Sequence, residues 1–168
     1  MRGGPLATES ADVDLDGHDL DTVVRAHRDW LVRRLALIIG DAEEARDLAQ
    51  ETFMRAAERW PLPDAGDPAR WLSTVGVRLA IDERRRRRRW GFLDLRETDA
   101  TWAMAADPDL WRALFRLDRR TRAAIVLTTL DGYSQGEVAA MLDVPRGTVA
   151  SWISRGRDRL RSELLSLP

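Results

Sequence analysis

The stretch that decides the fold is Tyr133 to Leu160, YSQGEVAAMLDVPRGTVASWISRGRDRL. Ser134 and Glu137 have the S-x-x-E spacing of a capping box, in which each side chain satisfies the other residue's backbone N–H and so starts a helix. Val138, Ala139 and Leu142 then fall on one inward face. Asp143 to Pro145, DVP, is a tight break, and a longer helix follows it. Val149, Ile153, Gly156 and Leu160 line one side of that helix, while Arg146, Ser151, Ser154, Arg155 and Asp158 lie away from it. A helix, a short turn and a second helix with a polar, cationic outer face make the helix-turn-helix design, whose second helix enters the DNA major groove. The plainer alternative is a helical hairpin with a solvated face. Small residues argue against it: Gly147, Ala150, Ser151, Ser154 and Gly156 keep the surface low enough for the helix to approach base edges and phosphates.

Upstream of this block the periodicity stays helical. Val24, His27, Leu31, Leu35 and Ile38 recur at three- and four-residue steps, and Gly40 is placed to end that helix. Asp41 can cap the next one, with Glu44 three residues on and an apolar face through Ala45, Leu48, Ala49, Thr52, Phe53 and Ala56. Trp60 to Pro68, WPLPDAGDP, is a loop by its proline and glycine content. Asp67-Pro68 and Asp107-Pro108 are both helix starts, because proline at the first helical position gives up a donor that has no partner there anyway. Trp71, Leu72, Val75 and Leu79 face a core, and the arginines of DERRRRRRW, Asp82 to Trp90, read as the last turns of the same helix. Arginine suits a helix C-terminus through the macrodipole, but six exceed what capping needs. Leu110, Leu114 and Leu117 mark a further apolar face, followed by Ala123, Val126, Leu127 and Leu130. No strand pattern is present. The expected fold is all-α, with two small helical domains joined by a linker and the C-terminal domain a helix-turn-helix. The expected boundaries are a disordered acidic tail at 1–18, a first domain at 19–90, a linker at 91–107 and a second domain at 108–168.

Composition removes several classes of function. The 168 residues include no cysteine, and the histidines are only His18 and His27, so thiol chemistry, disulfides and a zinc site have no ligands to draw on. No apolar run approaches the roughly 20 residues that span a bilayer, and the N-terminal segment lacks the apolar core of a signal peptide, which predicts a cytoplasmic protein with no membrane insertion. The 27 basic residues are all arginine, a codon-usage signature before it is a chemical one. A net charge of -1 conceals an uneven distribution: Glu9, Asp12, Asp14, Asp16, Asp19 and Asp21 sit near the start, and basic patches at 84–89 and 155–161.

The blocks DLAQETFMRA (Asp47 to Ala56), WLSTVGVRLAIDERRRRRR (Trp71 to Arg89) and GYSQGEVAAMLDVPRGTVASWISRGRDRL (Gly132 to Leu160), in that order and spacing, resemble the extracytoplasmic function sigma factors. These are the smallest group of the sigma-70 family of bacterial transcription initiation factors. The resemblance implies that the first domain is sigma region 2 and the second is sigma region 4. It further implies that Asp47, Gln50 and Glu51 dock on the clamp helices of core RNA polymerase. The helix from Trp71 would melt and read the minus-10 element with Arg78, Arg85, Arg86, Arg88 and Arg89, with Trp90 a candidate for base stacking. The second domain would read the minus-35 element with Arg146, Thr148, Ser151, Ser154, Arg155 and Arg157. Three residues depart from the usual pattern: Ala150 where lysine or arginine is common, Trp152 where arginine is frequent, and Arg78 where asparagine is common. Such factors use no cofactor, perform no catalysis and are commonly held inactive by an anti-sigma factor.

Two rival functions remain at this level. An autonomous helix-turn-helix regulator would bind DNA without polymerase, as a stable dimer. An enzyme would need Asp41, Glu43, Glu44 and Asp47 as magnesium ligands, but capping explains carboxylates at a helix start, and no phosphate-cradling glycine loop or histidine pair accompanies them. Near-neutral total charge predicts weak DNA binding by the free protein, since affinity for the duplex comes mainly from phosphate neutralisation.

Overall fold

The computed structural model describes residues 19–63, 66–82 and 107–165, and within them the chain forms seven α-helices and no strand. The first lobe contains α1 (Leu20–Ile39), α2 (Ala42–Glu58) and α3 (Pro68–Ile81). The second contains α4 (Pro108–Phe115), α5 (Arg119–Thr129), α6 (Gln135–Leu142) and α7 (Arg146–Leu165).

The helix boundaries have local chemical causes. Asp19, Asp41, Asp67, Asp107, Asp118 and Ser134 each cap a helix N-terminus by accepting a backbone N–H from two or three residues on. Both Asp-Pro starts act as expected, with Pro68 and Pro108 in the first turn. Gly40 ends α1 in the left-handed region at φ 85°, and its N–H returns to the Ala36 carbonyl at 2.8 Å. A side chain there would also meet the Phe115 ring at 3.2 Å, so glycine serves both the turn and a close approach by the second lobe.

The first lobe buries Leu31, Leu35 and Ile38 of α1 against Leu48 and Thr52 of α2 and Leu72 and Val77 of α3. Val23 is buried where periodicity singled out Val24, which is only partly covered. In the second lobe Ala123, Val126 and Leu127 of α5 meet Val138 and Leu142 of α6 and Val149 and Ile153 of α7. Leu110 and Leu130, assigned to apolar faces by spacing, are instead exposed at helix ends. The helix from Pro68 is described to Ile81, with Asp82 extended (φ -68°, ψ 103°), and the arginines at 84–89, expected as its last turns, lie outside the described residues. Its Ala80 carbonyl is taken by Arg119 of the second lobe at 3.1 Å.

The two lobes pack against each other through a joint rich in arginine. Arg119 holds Glu44 with two nitrogens, at 3.1 and 2.9 Å. Arg122 is buried and donates to the carbonyls of Ile38 (2.9 Å), Phe115 (3.0 Å) and Leu117 (2.8 Å), with its guanidinium carbon 4.8 Å from the Phe115 ring centre. Burial, reinforced by neighbouring Arg119, pushes its guanidinium down to about 10. Arg34 of α1 pairs with Asp131 at 2.5 Å, where burial raises the carboxyl's pKa against the pull of Arg34. Arg70 of α3 reaches Glu137 of α6 at 2.8 Å, and Arg78 donates to the carbonyls of Met141 (2.5 Å) and Ala140 (3.3 Å). A charge buried in such a contact is costly to leave alone, so the Glu44–Arg119 and Asp131–Arg34 pairs tie the lobes together, while the Arg70–Glu137 pair is more exposed.

Candidate nucleic-acid and polymerase interfaces

The helix-turn-helix is built from α6 and α7. Both arms of the α6 capping box are present: Glu137 N–H donates to Ser134 Oγ at 3.2 Å, and Ser134 N–H to Glu137 Oε2 at 2.8 Å. Asp143 turns the chain in the left-handed region at φ 54°, and Val144 N–H closes back on the Ala139 carbonyl at 3.0 Å. That places α7 against α5 through Val149, Ile153 and Gly156, which are all buried. A Cβ at Gly156 would lie 2.6 Å from Thr121 Cγ2 and 2.7 Å from Ile125 Cδ1. Gly156 therefore lets α7 pack close to α5, and does not lower the outer surface as its place among the small residues suggested. Gly147 does fit that expectation, since nothing lies within 4 Å of a Cβ built on it.

On the far side of α7, Arg146, Ser151, Ser154, Arg155 and Arg157 are exposed and Thr148 is half-buried. Arg146, Ala150, Ser154 and Arg157 follow one another at four- and three-residue steps, with Ser151 and Arg155 on the adjoining row, so the helix brings them onto one face. Ala150 and Trp152 are half-buried, and Trp152 packs on the core instead of standing out as a cation would. The face offers guanidinium donors for phosphates or guanine edges and hydroxyls for shorter contacts.

In the first lobe, Asp47 and Gln50 are exposed on α2 and Glu51 is half-buried, opposite buried Leu48. Together with Met54, Arg55 and Glu58 they line a shallow concavity. Glu51 accepts from Arg55 at 2.9 Å. Met54 is 57% exposed in the middle of this polar face, an apolar contact that sequence reasoning overlooked, although a methionine interrupting a polar row was visible. Polar groups around an exposed methionine suit a helix-on-helix contact with a partner protein.

Arg78 is the described member of the minus-10 set. It reaches from α3 to the Met141 and Ala140 carbonyls of α6 and remains exposed at the surface. Arg85, Arg86, Arg88, Arg89 and Trp90 lie outside the described residues, as do the acidic tail and positions 91–106 of the expected linker. Trp71 is partly buried on the core, in line with its inward reading. Of the carboxylates an enzyme would need, Asp41 caps α2 and Glu44 is held by Arg119. Among the described residues, no group of three or more histidine, cysteine, aspartate or glutamate side chains could hold a metal ion, and no helix is long and apolar enough to cross a membrane.

Comparison with known proteins agrees with this geometry. The family description of sigma-70 region 2 matches residues 23–90, and that of sigma-70 region 4 matches residues 108–160. The chain is 36% identical to the ECF RNA polymerase sigma factor SigE of Mycolicibacterium smegmatis, covering 86% of this chain and 61% of that relative. It is 32% identical to the ECF RNA polymerase sigma factor SigM of Mycobacterium tuberculosis, covering 90% of this chain and 80% of that one. Among solved structures, the sigma factor RpoE from Bartonella quintana, in complex with the anti-sigma factor NepR, superposes with a TM-score of 0.70 at 25% identity. That match covers 89% of this chain and 99% of RpoE. The all-helical fold, the helix-turn-helix of α6 and α7, and relatives matched across both lobes lead to one assignment: the chain belongs to the extracytoplasmic function sigma factors of the sigma-70 family.

Proposed function

We propose that this chain is a dissociable promoter-specificity subunit of RNA polymerase in the cytoplasm. Its first lobe binds core polymerase through the α2 face of Asp47, Gln50 and Glu51, and opens the minus-10 element with Arg78, Arg85, Arg86, Arg88 and Arg89. Its second lobe reads the minus-35 element with Arg146, Thr148, Ser151, Ser154, Arg155 and Arg157. The observation that carries this reading is the exposed face of α7, a row of arginines and hydroxyls on a helix whose opposite side is locked to α5 by Val149, Ile153 and Gly156. The domain assignment follows, with region 2 at 19–90, a linker at 91–107 and region 4 at 108–168.

The protein acts by binding alone and makes no covalent change. The capping of α2 by Asp41 and the bridge from Glu44 to Arg119 support this, because they give those carboxylates structural roles. Its partners are core RNA polymerase and promoter DNA, with an anti-sigma factor as the inhibitory partner, as NepR accompanies RpoE.

Run-off transcription with core polymerase from a related bacterium, on a genomic fragment library, tests the reading. Discrete start sites that depend on this protein are expected, and their alignment would reveal both promoter elements. Tight promoter binding by a stable dimer of the free protein, with no new start sites, would replace this reading with an autonomous regulator.

A further inference from the structure

Among the described residues, the large apolar side chains that stand exposed are Met54, Leu110, Leu130, Leu164 and Leu165. The leucines lie at helix ends, where α4 begins, α5 stops and α7 finishes. Single apolar residues in such places are ordinary on a protein surface. Met54 differs, because it lies a full turn inside α2 and is 57% exposed there. Its neighbours on the helix face are Gln50 and Glu51, four and three residues before it, and Glu58, four after, with Asp47 a further turn back. Together with Arg55 they line an open concavity of about 460 Å³. Methionine is flexible and polarisable, so it moulds itself to a partner's surface and is enriched in protein contacts.

The platform beneath Met54 is tightly packed. The inward side of α2 buries Leu48, Ala49, Thr52 and Ala56. Thr52 Oγ1 donates to the Leu48 carbonyl at 2.7 Å, and a Cβ on Gly76 of α3 would stand only 3.3 Å from that hydroxyl. Close contact with α3 therefore presents the outward face of α2 in one orientation. Glu51 accepts from Arg55 at 2.9 Å, which fixes one wall of the concavity. A surface held in this way loses little freedom when a partner binds. Its charge also limits what the partner can be. Asp47, Glu51 and Glu58 outnumber Arg55, so the face repels DNA phosphates and suits a protein surface with basic groups around an apolar spot.

We propose that Met54 is the anchor of the contact between α2 and core RNA polymerase, entering the water-free centre of that interface while Asp47, Gln50, Glu51 and Glu58 form its polar rim. The proposal rests on the reading of α2 as the polymerase-binding face, and it carries that face one turn beyond Glu51 to Met54 and a second turn to Glu58. Anchors in the dry centre of an interface govern how long a complex lasts, whereas rim charges act mainly on the rate of encounter. Met54 and the carboxylates are therefore separable by kinetics and by salt.

Binding of the full chain to immobilised core polymerase from a related bacterium, followed by surface plasmon resonance, tests this. Met54→Ala should weaken binding about tenfold or more, through faster dissociation and by the same factor at low and high salt. Met54→Leu, which nearly conserves volume, should stay within about threefold of the unaltered chain. Glu58→Gln should change mainly the association rate, an effect that fades as salt rises. The urea midpoint of Met54→Ala should match that of the unaltered chain, since an exposed side chain contributes little to folding. A lower midpoint accompanying the weaker binding would make Met54 a structural residue and overturn the proposal. Undiminished affinity of Met54→Ala, while Gln50→Ala or Glu51→Ala weakens binding, would overturn the anchor and leave the polymerase reading standing. If none of these changes affects the complex, or the unaltered chain forms none, α2 is not the docking face, and the anchor falls with that reading. Loss of a homodimer on Met54→Ala, with polymerase affinity intact, would assign the residue to a second copy of this chain and overturn the proposal.

Discussion

At the scale of single residues, Gly156 shows how a substitution with a better intrinsic propensity can still destabilise. Alanine is favoured over glycine in a helix by about 1 kcal/mol. Here its methyl group would enter space held by Thr121 and Ile125, at 2.6 and 2.7 Å. Thr121 is β-branched and buried, and so has little freedom to yield. Gly156→Ala should therefore lower stability by about 1–3 kcal/mol, the usual cost of overpacking, as read from urea unfolding. A more stable variant would show that α7 can lift from α5 without loss. Residues on the outer face of α7 should behave differently. With polymerase present, Arg157→Ala is expected to weaken promoter binding for all sequences alike and to reduce the log-log salt slope by about 1. Ser151→Ala should alter preference at one position of the minus-35 element and leave the slope unchanged. A slope insensitive to Arg157 would remove it from the phosphate contacts.

At the scale of the element, the helices depend on acidic residues at their starts, and three of these, Asp19, Asp118 and Glu137, are held below their ordinary pKa values. Burial pushes the Asp118 carboxyl up, but hydrogen bonds from Thr121 and from the Arg120 N–H outweigh it and hold the group below its ordinary value of 3.8. Glu137 is held below 4.5 by its bonds with Ser134, with Arg70 adding to the effect. A carboxyl whose pKa is depressed in the folded state contributes stability above its unfolded value, and loses it as pH falls through the folded one. Urea midpoints should therefore be level near pH 6 and fall as the solution is taken below about 4.5. Asp118→Asn with Glu137→Gln keeps both caps hydrogen-bonded while removing the titration, so the fall should be shallower. An identical acid profile for the double variant would place the titrating groups elsewhere.

At the scale of the whole molecule, the joint matters more than either lobe alone. Buried charge is concentrated there, in Arg122 and Glu44. The atoms left without a hydrogen-bond partner include Arg34 Nε, Arg122 Nε and Asp131 Oδ2. A joint of this kind is specific in its geometry, yet less fully satisfied than an apolar core.

The sequence by itself determined the elements and the family. Capping residues, Asp-Pro starts and apolar periodicity act over three or four residues, so Ser134 with Glu137, Asp67 with Pro68 and the inward face of α7 could be read along the chain. The outer face of α7 followed by subtraction. What only the tertiary structure decided depends on contacts between residues far apart in sequence. Arg78 and Met141 are 63 positions apart, and Arg122 and Ile38 are 84 apart. In a chain whose basic residues are all arginine, nothing local distinguishes a guanidinium that meets solvent or DNA from one that caps a distant helix. The same limit explains Gly156, which spacing placed both inward and among the small outer residues, and Leu130, whose exposure reflects its place at the end of α5. Periodicity assigns a face, but the partner across that face is set by how the chain folds back on itself.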